Sequence, residues 1–131
     1  MRNLHGHKVN PANDKLEIEV SDEPGAGGAN HLYVIGPFDD STNASQDPQF
    51  KGLKSSHILF QNGPINEVGV NGVTHEVLLE IVADRLRSFQ SGPYSCRENA
   101  LALTKVEEAQ MWLQSRTLKR MQRGVEGSHK A

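Results

Sequence analysis

The sequence lacks several features that would place it in a well-defined class of protein. Its single cysteine, Cys96, excludes an intramolecular disulfide and a cysteine-rich zinc framework. The chain has 16 acidic and 14 basic residues, and this net charge of -2 argues against a dedicated nucleic-acid binder, which would be strongly basic. Aromatic residues make up only 5% of the 131 residues, so we expect a thin core that self-association would help to bury.

Long hydrophobic runs are also missing. No apolar segment approaches the roughly 20 residues that a membrane-spanning helix needs. Residues 1–14, MRNLHGHKVNPAND, contain no apolar stretch of the kind found in a secretory signal. We therefore expect a cytoplasmic protein with no membrane partner. The length predicts one domain, or one small domain with an appendage.

The first part of the chain has the pattern of short strands and turns. Residues 15–20 (KLEIEV) alternate polar and apolar side chains, as a half-buried strand does. By the same reasoning we predict further strands at residues 31–35, 57–61 and 65–70, the first of these three ended by Gly36 and Pro37. A glycine-rich turn at 22–29 and a polar loop at 39–49 lie between them. These elements define an N-terminal β unit over residues 1–72.

The remaining residues, 73–131, predict a helical hairpin. Apolar side chains recur at helical spacing over residues 74–90, where Thr74 is a suitable N-cap. Ser95 and Glu98 form a capping box that begins a second helix, which continues to Gly124. The short connection makes the two helices antiparallel, and the second extends about ten residues beyond the first (1.5 Å each). The predicted fold class is α+β: a small N-terminal antiparallel sheet followed by a C-terminal antiparallel helical hairpin.

Basic residues concentrate at the end of the second helix. Arg116, Arg120 and Arg123 lie at spacings of four and three residues, so they share one helix face. One interpretation is a solvated helix end, where cations interact favourably with the helix dipole. The other is a binding site for phosphate, because arginine makes bidentate contacts with phosphate and a bound anion would relieve the repulsion among the three charges.

Aromatic side chains and an amide lie near the turn of the hairpin. Phe89 ends the first helix, Tyr94 lies in the turn and Trp112 lies on the second helix. Each is either a core residue or a surface on which a nucleobase stacks. Asn99, on the first turn of the second helix, is either a solvated amide or a hydrogen-bonding group for a base or ribose.

Signals of catalysis or metal binding are weak. Cys96 at a helix start has a favourable position for a thiolate, but no histidine is adjacent in sequence, so we expect it to be structural. The glycines of residues 25–28 lie between two strands and not before a helix, which predicts a turn and not a phosphate loop. Among the histidines, His5, His7, His31, His57, His75 and His129, only His5 and His7 are close, in a segment expected to be mobile. We therefore predict no catalytic residues, no metal site and no cofactor.

Four runs of the chain resemble the phage anti-Thoeris sponge proteins of the first described type, a family that shares its C-terminal helical hairpin with the phage anti-CBASS sponges. The runs are FQNGPINEVGVNG (60–72), EVLLEIVADRLRSFQSG (76–92), CRENALALTKVEEAQMWL (96–113) and RTLKRMQRGVEGSH (116–129). The resemblance implies a protein that acts in the cytoplasm of the infected bacterial host. It also implies that cyclic nucleotide immune signals are bound and sequestered without being cleaved.

The resemblance further implies an assembly and a set of binding residues. The hairpins of this family assemble into homo-oligomers of up to six chains, with a pocket for cyclic ADP-ribose isomers between protomers. Matched by position, Phe89 would stack on adenine, Asn99 would hydrogen-bond the ligand, and Arg116 and Arg120 would hold the pyrophosphate. Some members carry a separate site for cyclic di- or trinucleotides, for which Thr74 and Arg85 are the candidates.

Two other functions remain open at this point. The first is an oligomeric helical phage regulator that contacts nucleic acid through its basic helix end, although the net charge of -2 argues against a nucleic-acid polymer as partner. The second is an enzyme that degrades the same cyclic signals.

Overall fold

The computed structural model describes residues 1–128, which form two compact units, Met1–Gly63 and a second beginning at Pro64. The first contains an antiparallel sheet and the second contains a pair of long helices, so the predicted α+β class is confirmed. The division between the units falls before the expected boundary at residues 72 and 73, because the segment that follows Pro64 is helical and contacts the C-terminal residues of the second unit. No helix in the described residues combines the length and apolarity that crossing a membrane would require.

The sheet of the first unit is a four-stranded antiparallel meander in the order β1–β2–β3–β4. The strands are β1 (Arg2–Leu4), β2 (Glu17–Val20), β3 (Leu32–Asp39) and β4 (Leu53–Leu59), and a single helical turn, α1 (Pro11–Asp14), lies between the first two. Val20 is opposite Tyr33, which is opposite Ile58, so these three side chains lie on one face. Val20 is only 1% exposed, which places the small core of the unit on that face.

The third strand is longer than predicted, and its expected end at Gly36 and Pro37 is wrong. The strand continues to Asp39 because a shift of register between Ile35 and Phe38 accommodates Gly36 and Pro37 within the strand. Gly36 adopts φ +143°, and a Cβ atom there would lie 2.7 Å from the hydroxyl oxygen of Ser55, so only glycine fits.

Two other strand predictions are also corrected, and one strand was not predicted. The fourth strand begins at Leu53 and not at residue 57, and β1 was not predicted because its three residues show no alternation. The strand expected at residues 65–70 is instead a short helix, α2 (Ile65–Val68). Pro64 precedes this helix and Gly69, at φ +72°, ends it, which is the usual placement of these two residue types.

The polar loop after β3 is held by one buried carboxylate. Asp40 accepts hydrogen bonds from Lys54 Nζ at 2.5 Å, from the side-chain amide of Gln46 at 2.8 Å and from the backbone N–H of Gly52 at 2.8 Å. These bonds, the one from Lys54 foremost, lower the pKa of Asp40 from 3.8 to about 2. The carboxylate therefore joins both ends of the loop to β4.

The second unit contains the helical hairpin, α3 (His75–Gln90) and α4 (Arg97–Gln122). Thr74 caps α3 as predicted, its hydroxyl accepting the N–H of Val77 at 3.3 Å. The predicted capping box of Ser95 and Glu98 is wrong by one residue. Cys96 is the N-cap of α4, and its sulfur accepts the N–H of Asn99 at 3.4 Å.

The two helices pack through a small apolar contact and a polar network. Ala83 is fully buried where α3 meets α4. Gln110 donates to Glu80 at 2.8 Å, while Arg87 contacts Glu80 at 3.4 Å and Glu107 at 3.2 Å. The hydrogen bond from Gln110, followed by that from Arg87, lowers the pKa of Glu80, and the bond to Glu107 raises the pKa of Arg87. These contacts fix the antiparallel register of the hairpin.

Candidate functional site

The predicted site residues fall into two groups at opposite ends of the hairpin. The turn end, where α3 passes into α4, carries Arg85, Phe89 and Asn99. The base end, where α4 extends beyond α3, carries Thr74, Arg116, Arg120 and Arg123. We use the names turn end and base end for these two groups below.

The turn end presents a partly exposed aromatic ring. Phe89 is 41% exposed, although it belongs to the apolar pattern of α3. The guanidinium carbon of Arg85, one helical turn earlier, lies 5.7 Å from the centre of its ring, within range of a cation–π contact. Asn99 is half-buried on the first turn of α4. An exposed ring, a cation and an amide are the groups that recognise a nucleobase.

The base end departs from the prediction of three arginines on one solvated face. Arg116 and Arg123 are exposed, but Arg120 is only 6% exposed. Arg120 Nε donates to a carboxylate oxygen of Glu126 at 3.2 Å, and its Nη2 donates to the carbonyls of Val125 and Ser128 at 3.1 and 3.3 Å. The chain's own C-terminal residues therefore compensate the charge of Arg120. The solvated-helix interpretation is wrong for this residue.

The beginning of α3 lies beside the base end. A cavity of about 390 Å³ is lined by Glu76 of α3 and by Gln114, Thr117 and Leu118 of α4. Thr74 is two residues before Glu76, and its hydroxyl is engaged in the helix cap. The carboxylate, amide and hydroxyl in this cavity are hydrogen-bonding groups next to one apolar side chain.

The distance between the two ends excludes a shared small-molecule site within one chain. Asn99 and Arg116 are 17 positions apart on the continuous helix α4, which separates them by about 26 Å at 1.5 Å per residue. The predicted site residues of one chain therefore form two separate groups.

Two of the residues considered for catalysis or metal binding make structural contacts. Cys96 is exposed and caps α4 through its sulfur. His7 is half-buried with its Nε2 2.5 Å from the carbonyl oxygen of Leu16, and His5 follows β1 directly, so this segment is not the mobile tail that was expected. Across residues 1–128, no three His, Cys, Asp or Glu side chains are grouped as metal ligands. His129 lies outside the described residues.

Comparison with known proteins assigns the hairpin to a protein family. Residues 54–118 match the family model described as "Acb2/Tad1, hairpin domain". These residues are therefore assigned to the Acb2/Tad1 hairpin domain family. It is also 54% identical over 76 residues to Thoeris anti-defense 1 of Bacillus phage SBSphiJ7, an alignment that covers 58% of this chain and 54% of the relative. The resemblance stated from the sequence is confirmed, and the chain spans about half the length of this relative.

The family match bears differently on the two ends of the hairpin. It includes the whole turn end, together with Thr74 and Arg116 of the base end. It stops at Leu118, before Arg120, Arg123 and the residues that cover Arg120. Sequence reasoning missed Glu126 as a partner of Arg120. The available signal was Gly124, which permits a reversal of the chain just before an acidic residue.

Proposed function

We propose that the protein binds a cyclic nucleotide immune signal, chiefly an isomer of cyclic ADP-ribose, and sequesters it without cleaving it. In this way it would block Thoeris defence in the cytoplasm of an infected bacterium. Membership of the Acb2/Tad1 hairpin family and the similarity to a protein named Thoeris anti-defense 1 support the proposal. Sequestration requires no catalytic group, because a protein in excess over its ligand lowers the free concentration by mass action.

The observation that carries the proposal is the separation of the turn end from the base end. In a two-fold symmetric pair each contact between two patches occurs twice, with the patches exchanged between the copies. Two antiparallel hairpins would therefore bring the turn end of each copy to the base end of the other. Each such junction combines an exposed ring and an amide with arginines, which are the parts that a nucleobase and a pyrophosphate require.

Five of the predicted residues have a role at such a junction. Phe89 stacks on adenine, Asn99 hydrogen-bonds the ligand, and Arg116 and Arg120 hold the pyrophosphate, with Arg123 adding positive charge beside them. Thr74 and Arg85 are proposed for a separate site for cyclic di- or trinucleotides, through which the protein would also act against CBASS. The assembly is proposed to be a homo-oligomer of six chains, built through the hairpins.

A binding screen followed by recovery of the ligand tests this function. Thermal shift against cyclic ADP-ribose isomers and cyclic di- and trinucleotides should identify at least one stabilising compound, by about 2.7 kcal/mol at 100 times its dissociation constant. The compound should be recovered unchanged after the complex is denatured. Absence of any stabilising compound would contradict the binding function. Product beyond one equivalent per chain would instead indicate an enzyme.

The alternative of a nucleic-acid-binding regulator receives less support from the structure than from the sequence. It relied on three neighbouring cations at the helix end, and the most central of them, Arg120, is covered by Glu126 and two carbonyl groups. A nucleic-acid polymer requires several exposed cations together, since its affinity comes from neutralising many phosphates at once.

A further inference from the structure

The C-terminal residues 124–128 fold back over the end of α4, and we call this segment the latch. Gly124, at φ +71°, reverses the chain after the helix. The N–H of Val125 then donates to the carbonyl of Arg120 at 3.0 Å, and the N–H of Ser128 donates to the carbonyl of Val125 at 3.1 Å. The latch is therefore a hydrogen-bonded turn.

The latch occupies donors on Arg120 that an anionic ligand would use. Nε and Nη2 of the guanidinium donate to one carboxylate oxygen and two carbonyl oxygens of the latch. A phosphate is bound by arginine through the same N–H groups and with the same preference for negatively charged oxygen as a carboxylate. Glu126 thus satisfies Arg120 in the way that a phosphate would.

A second attachment joins the latch to α2. Gly127 is buried, and its carbonyl accepts the N–H of Asn66 at 3.2 Å. Its φ is +81°, and a Cβ atom at this position would lie 2.8 Å from Cγ1 of Ile65. A residue other than glycine at position 127 would strain the backbone. Its Cβ atom would also push the segment away from Ile65. The latch is held at two points, Arg120 and α2.

We propose that the latch is an autoinhibitory contact, in which Glu126 occupies Arg120 in the free protein and a bound phosphate group displaces it. The inference rests on the proposed function, because it assumes that Arg120 contacts the ligand. An arginine that is 6% exposed offers few donors to a ligand until its cover moves. Binding therefore includes an opening step, and the apparent affinity is lower than the intrinsic affinity by the fraction of open molecules.

The substitution Glu126→Gln tests the displacement directly. It keeps the size of the side chain but removes the charge that competes with phosphate. Calorimetry with the compound identified in the screen should show binding that is roughly three- to tenfold tighter than wild type, equivalent to about 0.7–1.4 kcal/mol. Stopped-flow measurements should assign this gain to faster association, since the opening step precedes contact.

Two further variants separate the latch from general effects of charge and folding. Glu108→Gln removes a carboxylate of α4 that pairs with Lys105 at 3.7 Å, away from Arg120, and should leave the affinity unchanged. Gly127→Ala detaches the latch from α2 without altering Glu126, and should also tighten binding. In the wild type, the ligand should accelerate hydrogen exchange at the amides of Asn66 and Val125, which are bonded only while the latch is closed.

The outcomes distinguish this inference from the function on which it rests. If Glu126→Gln binds equally or more weakly, and the ligand protects the amides of Asn66 and Val125, then Glu126 positions Arg120 and the latch is not inhibitory. The binding function would stand in that case. If neither the wild type nor Glu126→Gln binds any compound in the screen, the proposed function fails and the inference fails with it.

Discussion

The two units of the molecule differ in how completely they cover their own apolar side chains. They are of nearly equal length, yet five large hydrophobic residues are exposed in the first unit and thirteen in the described part of the second. Many of those thirteen lie on the long helices, including Ile81, Phe89, Leu101, Trp112 and Leu118. The hairpin is therefore the unit whose surface favours contact with another molecule.

Two carboxylates of the sheet unit are satisfied by donors within the unit. Asp40 holds a loop through three donors, and Asp22 accepts the backbone N–H groups of His31 and Leu32 at 3.0 to 3.2 Å. The pKa of Asp22 is lowered despite the opposing effect of desolvation, because these backbone bonds stabilise its charged form. The comparison indicates a sheet unit that covers most of its large apolar side chains and a hairpin that leaves many of them exposed.

The largest expected effect comes from a charge placed on the exposed apolar surface of the hairpin. Ile81→Asp should abolish self-association, because it loses about 1.5–3 kcal/mol of apolar burial and adds the cost of desolvating a carboxylate. Light scattering should show a 14.4 kDa monomer for this variant and a larger species for the wild type.

Leu53→Asp, at an exposed leucine of the sheet, is the matched control and should leave the assembly intact. If the wild-type protein is already a monomer at micromolar concentration, the proposed junctions between copies do not form. Dissociation by Leu53→Asp would show that the sheet also forms an interface, and the contrast between the units would be lost.

The second expected effect distinguishes Arg120 from Arg116, two of the three arginines of the base end. Arg120→Ala should lower the free energy of unfolding by about 2–4 kcal/mol, because Glu126 and two carbonyls lose a largely buried partner. Arg116→Ala should change it by less than about 0.5 kcal/mol, since this side chain is exposed. Denaturant titration measures both values.

Ligand affinity should not follow the same pattern. Both arginine variants should weaken binding roughly 10- to 150-fold, at about 1.5–3 kcal/mol for each charge-assisted contact. A normal affinity for Arg116→Ala would contradict its role, because lost stability cannot obscure the result for that residue.

The third expected effect is a loss of stability of the sheet unit at acid pH. The pKa of Asp40 is about 2 in the folded protein, below its usual 3.8, so its carboxylate stabilises the fold fully above about pH 4. That stabilisation should be lost as the pH falls from about 4 towards 2. Melting curves of Asp40→Asn and wild type should therefore differ most above pH 4 and converge in acid. Asp84→Asn, at an exposed position of α3, should retain the acid-dependent loss seen in the wild type.

The smallest effect is expected at the start of α4. Cys96→Ser keeps a side chain that accepts the N–H of Asn99 and introduces a better N-cap, so stability should change by no more than about 0.5 kcal/mol. Ligand binding should be unaffected, because the thiol has no chemical role in sequestration. A large loss of function in this conservative variant would return Cys96 to consideration as a nucleophile.

The sequence predicts the elements whose patterns are local and misses those that depend on distant partners. The alternation in β2 and the cap at Thr74 were readable because each involves a few consecutive residues. The strand β1 was not, since its three residues become a strand only by pairing with residues 18–20. The N-cap of α4 was placed one residue too early because Ser95 and Cys96 are adjacent and both side chains can accept a backbone N–H.

The same distinction applies to the site. Helical spacing placed three arginines together but could not show that residues after Gly124 return to cover one of them. Conversely, the separation of Asn99 from Arg116 follows from 17 positions on one helix, so this separation can be read from the sequence pattern itself.

Complementation between two inactive variants tests the central claim, that each pocket combines the turn end of one copy with the base end of another. Phe89→Ala disrupts only the turn end and Arg116→Ala only the base end, so either variant alone should bind the cyclic ADP-ribose isomer weakly. After the two are unfolded together and refolded at equal concentrations, roughly a quarter of the junctions in a randomly mixed oligomer should contain both intact ends. Calorimetry should then detect sites of wild-type affinity at about that fraction. If the pocket lay within a single chain, every site in the mixture would carry one defect, and the absence of any recovered binding would contradict the account.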